Sequence, residues 1–189
     1  MHNTLKKVCL VLLLGLVASS SLYAADLNAG KERSAFCAGC HGPAGISSNP
    51  LWPNLAGQSA AYIESQLSKF KSGARENPMM KQVAAGLSDT DIQNLAAYFS
   101  SLPAKAEPGD TGLANQGKQK ANMCMGCHGQ NLHGQAIIPR LASQHPQYLA
   151  SQLEAFKISV RKEGHMNAVA KSLSADDIKE ISAYIGSLQ

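Results

Sequence analysis

Two copies of a Cys-x-x-Cys-His motif carry the side chains of this 189-residue sequence that could do chemistry. The residues are Cys37, Cys40 and His41 in the first copy, and Cys124, Cys127 and His128 in the second. Cysteines three positions apart can form a redox disulfide, contribute to a zinc site, or attach a haem covalently with the histidine as an iron ligand. The spacing within one motif leaves all three chemistries open.

The motifs lie within a longer internal repeat. Four pairs of segments match: CAGCHG at 37 with CMGCHG at 124, PNLAGQ at 53 with PRLASQ at 139, YIESQLSKF at 62 with YLASQLEAF at 148, and LSDTDIQNLAAYFSSL at 87 with LSADDIKEISAYIGSL at 173. The offset is 87 residues at the cysteines and 86 from Pro53 onward, so the second copy lacks one residue between His128 and Pro139. We predict two similar domains, residues 25–102 and 111–189, joined by the linker 103–110, which contains prolines and a glycine.

The elements that position the motifs are predicted to be three helices in each copy. One helix leads into the cysteines. In the next, Ile63, Leu67 and Phe70 follow the i, i+4, i+7 spacing of an apolar helix face, and the second copy repeats this spacing. Ser88 and Asp91 have the Ser-x-x-acid spacing of a capping box at the start of the last helix. No segment alternates apolar and polar residues convincingly enough to predict a strand, so the expected fold class is all-α.

The surroundings of the motifs favour covalent haem over the two other chemistries. A thioredoxin-type disulfide is expected after a strand, and no strand is predicted. A structural zinc ion needs four ligands, and pooling cysteines from both copies would join two otherwise complete domains. A haem held by two thioethers and a histidine fits each copy separately. It would also fill the core of a small domain in a chain with only 5% aromatic residues.

The repeat also indicates an iron ligand for the opposite face of each haem. Met80 and Met166 each lie seven residues before the leucine that opens an LS-x-x-D-I segment. Met79 is adjacent to Met80, but its counterpart in the second copy is His165, so only the Met80 register preserves methionine in both copies. His165 is the competing ligand in the second copy.

Residues 1–24 are typical of a secretory signal peptide and predict export to the periplasm. Two lysines precede an apolar run over residues 8–17, and small residues lead to Ala24. A retained membrane anchor is disfavoured because a helix that spans a bilayer needs roughly 20 apolar residues. Cleavage would remove Cys9, so that every remaining cysteine belongs to a motif.

The charge of the remaining sequence argues against nucleic acid as a partner. Without the signal peptide the chain has 15 basic and 13 acidic residues, a net charge of +2, and no cluster of lysine or arginine. Two other histidines, His133 and His145, have no histidine counterpart in the first copy and are expected to be solvated.

Together these segments resemble the dihaem cytochrome c4 family. The resemblance rests on CAGCHG and CMGCHG, on PNLAGQ and PRLASQ, on the two methionines and on the two LS-x-x-D-I helices, and it covers essentially the whole sequence after the signal peptide. It implies two tandem class I cytochrome c domains related by pseudo-twofold symmetry. Each domain would carry one covalently attached haem c group, and the propionate edges of the two haems would face each other.

The resemblance also implies roles for individual residues. His41 and His128 would be the proximal iron ligands, and Met80 and Met166 the distal ones. The carbonyls of Pro53 and Pro139 would each accept a hydrogen bond from the proximal histidine of the same domain. The missing residue before Pro139 should tighten that loop. Close helix crossings are expected at Gly30 and Gly117, against Tyr98 and Tyr184.

The implied function is single-electron transfer rather than catalysis, because histidine and methionine ligands leave no open iron position for a substrate. By this resemblance the partners are an upstream reductase and a downstream membrane haem-copper terminal oxidase. A haem electron-transfer subunit of a periplasmic dehydrogenase is the alternative. A dihaem peroxidase is a less favoured alternative. Its only support is His165, which could act as an acid/base residue next to Met166. Peripheral association with the membrane stays open.

The two domains differ in charge. Residues 25–102 contain six basic and six acidic side chains, whereas residues 111–189 contain eight and five, a net charge of +3. We therefore expect the second haem to be the more oxidising of the two.

Overall fold

The computed structural model describes residues 24–107 and 109–189, and the predicted signal peptide lies outside them except for Ala24. The described ranges form ten α-helices: α1 Leu27–Ser34, α2 Ala38–His41, α3 Ala60–Ser72, α4 Pro78–Ala85, α5 Asp89–Ser101, α6 Thr111–Lys120, α7 Asn122–His128, α8 Pro146–Lys157, α9 Gly164–Lys171 and α10 Ala175–Ser187. Short 3₁₀ turns follow α2 and α7, at Pro43–Gly45 and Gln130–Leu132. Within the described ranges, β pairing is limited to an isolated bridge between Gln135 and Ile138. The predicted all-α fold class is confirmed.

Each repeat contains five helices in the same order, α1–α5 and α6–α10, where the sequence predicted three. The two additional helices carry the motif and the candidate methionine. In the first repeat, the motif helix α2 has only four residues, too few for an apolar periodicity to show. The methionine helix α4 begins where the Asn77 side chain accepts from the backbone N–H of Met80, with Pro78 at the first helical position.

The first helix of each repeat crosses the last at a glycine. A Cβ atom at Gly30 would overlap the backbone carbonyl of Asn94 on α5, with the Cβ of Tyr98 next to it. A Cβ atom at Gly117 would overlap the backbone carbonyl of Glu180 on α10, beside Ile181. The predicted close crossings at the two glycines are therefore confirmed, with Tyr98 beside Gly30 as expected. At Gly117 the nearest atoms belong to Glu180 and Ile181 rather than to the predicted Tyr184. Both crossings are backbone-to-backbone approaches that only glycine permits.

Each repeat has its own apolar core beneath these helices. In the first repeat the core consists of residues from α3, α5 and the turn before α5: Ile63, Leu87, Ile92, Leu95, Ala96 and Phe99. In the second repeat it consists of Ala121, Leu132, Leu149, Leu173, Ile178, Ile181 and Ile185. The predicted capping box at Ser88 and Asp91 is present, and Ser174 and Asp177 form its equivalent.

The two repeats meet through equivalent surfaces. Gln144 of the second repeat binds the main chain of Asn54 in the first, and Gln58 of the first repeat binds the main chain of Arg140 in the second. Positions 54 and 140 correspond in the repeat, as do positions 58 and 144. Such reciprocal contacts define an isologous, twofold-type interface. The predicted pseudo-twofold arrangement is confirmed.

Candidate haem-binding sites

The cysteines of each motif are presented on one helical turn. Cys37 is the residue before α2, and Cys40 and His41 lie within that helix. In the second repeat, all three motif residues lie within α7. Residues three apart on a helix share a face, so the two thiols of each motif point the same way. All four motif cysteines are free, as attachment of a cofactor through both sulfur atoms of each motif requires.

Each motif histidine is oriented by the proline carbonyl that the family resemblance implies. The Nδ1 atom of His41 lies 2.9 Å from the carbonyl oxygen of Pro53, and Nδ1 of His128 lies 2.9 Å from that of Pro139. A carbonyl can only accept, so Nδ1 carries the proton and Nε2 holds the lone pair that binds a metal. Burial lowers the pKa of both imidazoles, which favours the neutral, ligating form.

The one-residue deletion before Pro139 leaves this hydrogen bond unchanged and alters the backbone of the loop. Asn131 and Leu132, with φ angles of 54° and 60°, have the same backbone conformation as their counterparts Ala44 and Gly45 in the first repeat, at 56° and 72°. Beyond them, Gly134 and Ala136 have positive φ angles of 80° and 49°, whereas residues 47–50 in the corresponding part of the first repeat have none. The shorter connection therefore differs from the longer one in left-handed backbone at these two positions.

The candidate methionines are more enclosed than their neighbours. Met80 lies in the first turn of α4 and is half-buried, whereas Met79 is 56% exposed. Met166 lies in the first turn of α9 and is half-buried, whereas His165 is exposed. The two methionines therefore occupy the same position in both repeats with the same degree of burial.

The structure tests the rival chemistries directly. Within residues 24–107 and 109–189, no three side chains of histidine, cysteine, aspartate or glutamate come together as a metal site requires, so a zinc site built from the motif has no ligand set. Burial raises the pKa of the Cys37 and Cys124 thiols. A redox-active cysteine needs the opposite shift, toward the thiolate.

The donor set and its surroundings fit a haem. The first cysteine of each motif packs against the apolar core of its own repeat. Half-buried leucines pack against the same cores, and they provide apolar walls: Leu55, Leu67 and Leu102 in the first repeat, and Leu141, Leu153 and Leu188 in the second. Two free thiols, a neutral histidine with a free Nε2 and a half-buried methionine thioether recur in each repeat.

Comparison with known proteins decides the family. The family model "Cytochrome c" matches residues 27–103 and again residues 114–189. Cytochrome c4 of Azotobacter vinelandii is 37% identical over 97% of this chain and 100% of its own length. The chain belongs to the cytochrome c4 family. Cytochrome c4 proteins are dihaem electron carriers, and this chain accordingly carries two covalently attached haem groups.

Two further similarities bear on structure and partners. The crystal structure of reduced recombinant cytochrome c4 from Pseudomonas stutzeri superimposes with a TM-score of 0.82 at 36% identity, covering 88% of this chain and all of that one. A "Thiosulfate dehydrogenase electron acceptor" of Stutzerimonas stutzeri is 35% identical over 80% of this chain and 78% of its own length. The family and the two-domain cytochrome c fold predicted from the sequence are thereby confirmed.

Sequence reasoning missed the polar residues that join the two domains of this cytochrome c4 family member. Arg75 donates to Gln66 of its own domain and to Tyr148 and Gln152 of the other. The equivalent Arg161 donates to Gln152, Tyr62 and Gln66. The signal was available, because every member of this network recurs at the repeat offset of 86.

The prediction for His145 was wrong, whereas His133 is exposed as expected. His145 directly precedes α8 and is buried, with Nε2 3.0 Å from the carbonyl oxygen of Ser47 in the other domain. Its Nδ1 atom lies 3.7 Å from the Glu107 carboxylate in the interdomain segment. A helix start is usually solvated, but here the first domain covers it.

The described residues contain no helix that is both long and apolar enough to cross a membrane.

Proposed function

We propose that this dihaem protein is a periplasmic single-electron carrier in which His41 and Met80 hold one iron, and His128 and Met166 the other. Cys37 and Cys40, and likewise Cys124 and Cys127, would form the thioethers. The observation that carries the proposal is the pair of 2.9 Å histidine–proline hydrogen bonds, which leave Nε2 free in both domains. The haem iron, when bound, supplies reversible one-electron redox chemistry.

The protein's own residues orient the proposed ligands. The carbonyls of Pro53 and Pro139 hold the Nδ1 protons and so orient the imidazole rings. Asn77 accepts from the backbone N–H of Met80 and begins the helix on which this methionine sits. If histidine and methionine side chains both bind each iron, no coordination site would be left for a substrate, so the proposed role is electron transfer without bond chemistry.

We propose redox proteins as partners, with an upstream reductase and a downstream haem-copper terminal oxidase. Exposed apolar side chains beside the attachment cysteines support docking of this kind. Phe36 precedes Cys37 and is 69% exposed, and the equivalent Met123 precedes Cys124 and is 55% exposed. Small apolar patches near a redox centre suit the weak, transient contacts of electron-transfer pairs.

A second candidate function is that of a haem electron-transfer subunit that accepts electrons from a periplasmic dehydrogenase. It is favoured because one relative is named as the electron acceptor of a thiosulfate dehydrogenase. The two roles separate in solution. Stable co-elution with a catalytic subunit from native periplasm supports a dehydrogenase subunit, whereas elution as a free protein supports a mobile carrier. Stopped-flow reduction by a purified thiosulfate dehydrogenase, compared with a quinol-oxidising reductase, identifies the electron donor.

The ligation itself is tested on the exported protein. A pyridine haemochrome assay with intact-mass measurement should give two haems per chain and a mass that starts after residue 24 or 25. The ferric protein should show methionine-ligated, low-spin iron at both sites. A high-spin site with peroxide turnover would contradict the carrier and support the peroxidase, and a chain that retains residues 1–24 would contradict the signal peptide.

A further inference from the structure

The peptide group that orients each proximal histidine is also bound by a glutamine of the other domain. In the first domain the carbonyl of Pro53 accepts from His41, and the N–H of the same peptide unit, on Asn54, donates to Oε1 of Gln144 at 2.8 Å. Gln144 belongs to the second repeat. One peptide unit therefore connects the candidate iron ligand of one domain to a side chain of its neighbour.

The second domain has the same arrangement in reverse. The carbonyl of Pro139 accepts from His128, and the N–H of that peptide unit, on Arg140, donates to Oε1 of Gln58 at 2.8 Å. Gln58 belongs to the first repeat, at the position equivalent to Gln144. The connection therefore occurs twice, once in each direction across the interface.

The orientation of both glutamine amides is fixed by their partners. Nε2 of Gln144 donates to the carbonyl of Asn54 at 3.0 Å, and Nε2 of Gln58 donates to the carbonyl of Arg140 at 2.9 Å. Because a backbone N–H can only donate, the amide oxygen must face it. Both glutamines are buried, 6% and 8% exposed, so water does not compete for these hydrogen bonds.

A hydrogen bond at one end of a peptide unit strengthens the hydrogen bond at its other end. Chains of hydrogen bonds polarise one another, most strongly in a buried site of low effective dielectric. A glutamine oxygen on the N–H makes the proline carbonyl a stronger acceptor, which draws on the Nδ1 proton and makes Nε2 a more basic ligand. A more basic ligand stabilises ferric iron and lowers the reduction potential.

We propose that Gln144 is a positioning residue for the haem of the first domain, and Gln58 for the haem of the second, each acting through the peptide unit that binds the proximal histidine. Each domain thereby sets part of the reduction potential of the other. The proposal rests on histidine ligation as given under Proposed function, and it assigns a role to residues outside the ligand set.

The test uses full-length protein with both haems and the variants Gln144→Met and Gln58→Met, which keep side-chain length but remove the amide. Gln144→Met should raise the potential of the first haem and leave the second unchanged, and Gln58→Met should do the reverse. We expect a change of up to about tenfold in the reduction equilibrium, about 59 mV for one electron. Met80→His and Met166→His backgrounds assign each potential to its domain.

Amide NMR gives a readout that does not depend on the haem potentials. The Asn54 N–H signal should move in Gln144→Met and the Arg140 N–H signal in Gln58→Met. If a methionine variant does not fold, Gln144→Asn and Gln58→Asn shorten the amide and withdraw it from the same N–H groups. Tyr148→Phe is the control, since it removes the 3.0 Å interdomain hydrogen bond from Arg75 to the Tyr148 hydroxyl without touching either peptide unit.

The outcomes are distinct. Equal shifts of both haems in either glutamine variant indicate a general loosening of the interface and overturn the proposal, as does a shift confined to the variant's own domain. An Asn54 or Arg140 N–H signal that moves while both potentials stay unchanged also overturns it. Failure of the histidine-ligation proposal is seen separately, in the wild-type protein, as absence of iron-shifted NMR signals from the His41 and His128 rings.

Discussion

The guanidinium of Arg75 donates a hydrogen bond to the side-chain oxygen of Gln152, 2.8 Å away in the other domain. Arg161, its equivalent in the repeat, donates the corresponding hydrogen bond to the side-chain oxygen of Gln66 in the first domain, at 3.2 Å. Each guanidinium also lies over a phenylalanine ring of its own domain, at 4.6 Å for Arg75 and 4.5 Å for Arg161. Among the described residues neither arginine forms a salt bridge with a carboxylate. Neutral acceptors and aromatic faces therefore hold two like charges at the domain interface.

Replacing Arg75 by methionine should destabilise the protein by about 1.5–3 kcal/mol, since hydrogen bonds to charged groups contribute that much. The change removes three donors to Gln66, Tyr148 and Gln152 while keeping the apolar length of the side chain. Denaturant unfolding of the haem-loaded protein measures the loss. Lys31→Met is the charge-matched control, because Lys31 is exposed and forms no ion pair in the described ranges.

The paired variant Arg75→Met, Arg161→Met should lose less stability than the sum of the two single variants. Both arginines use the same two glutamines, so the first substitution already weakens the second contact. Strict additivity in the double-mutant cycle would contradict a shared network.

The glycines at the helix crossings are expected to tolerate no side chain. Gly30→Ala and Gly117→Ala place a Cβ against backbone carbonyls, which cannot rotate away, and overpacking of this kind costs about 1–3 kcal/mol. Gly86→Ala is the matched control. Its nearest neighbour atom would lie 3.7 Å from the new Cβ and its φ is −84°, so its unfolding midpoint should stay close to that of wild type.

The local parts of this architecture could be predicted from the sequence. The cysteine motifs, the capping boxes and the apolar face of α3 are patterns within a few residues, and the repeat marked which neighbours accompany each motif. His41 and Pro53 are 12 residues apart, yet the family resemblance was enough to pair them.

The interdomain contacts could not be predicted in the same way. Gln144 and Asn54 are 90 residues apart, and no local pattern states that two buried loops will face each other. The prediction that His145 is solvated was wrong for the same reason, because its burial depends on Ser47 of the other domain. The polar residues of the interface recur in the repeat, but only the structure shows that they pair across a twofold rather than within one domain.

The methionine assignments are tested against their neighbours. Met80→Ala and Met166→Ala should each remove methionine ligation from one haem and lower its potential, because thioether ligation favours ferrous iron. Met79→Ala and His165→Ala should leave both ferric spectra unchanged, since these side chains are the more exposed members of each pair. Loss of iron ligation in Met79→Ala or His165→Ala would show that these residues, rather than Met80 or Met166, are the ligands.

The stability that the last helix of the second domain gives to the fold should depend on pH, because the Asp177 carboxylate of its capping box titrates. Lys120 and then Ser174 hold the pKa of Asp177 well below its usual range. A carboxylate with a lowered pKa stabilises the fold above its unfolded pKa, near 3.9, and this contribution is lost as the pH falls through the folded value. Asp177→Asn should therefore lower the melting temperature at neutral pH, and the difference from wild type should shrink in acid. A pH-independent difference would place the effect elsewhere.

The two haems are expected to differ in potential, with the second the more oxidising. The first domain is neutral in formal charge, whereas residues 111–189 carry a net charge of +3, and nearby positive charge disfavours the additional positive charge of ferric iron. Screening by salt reduces contributions from exposed lysines, so the gap between the two potentials should narrow as ionic strength rises. Redox titration of the Met80→His and Met166→His variants at low and high salt assigns each potential. A higher potential in the first haem, or a gap that widens with salt, would show that ligand basicity or burial outweighs the charge difference.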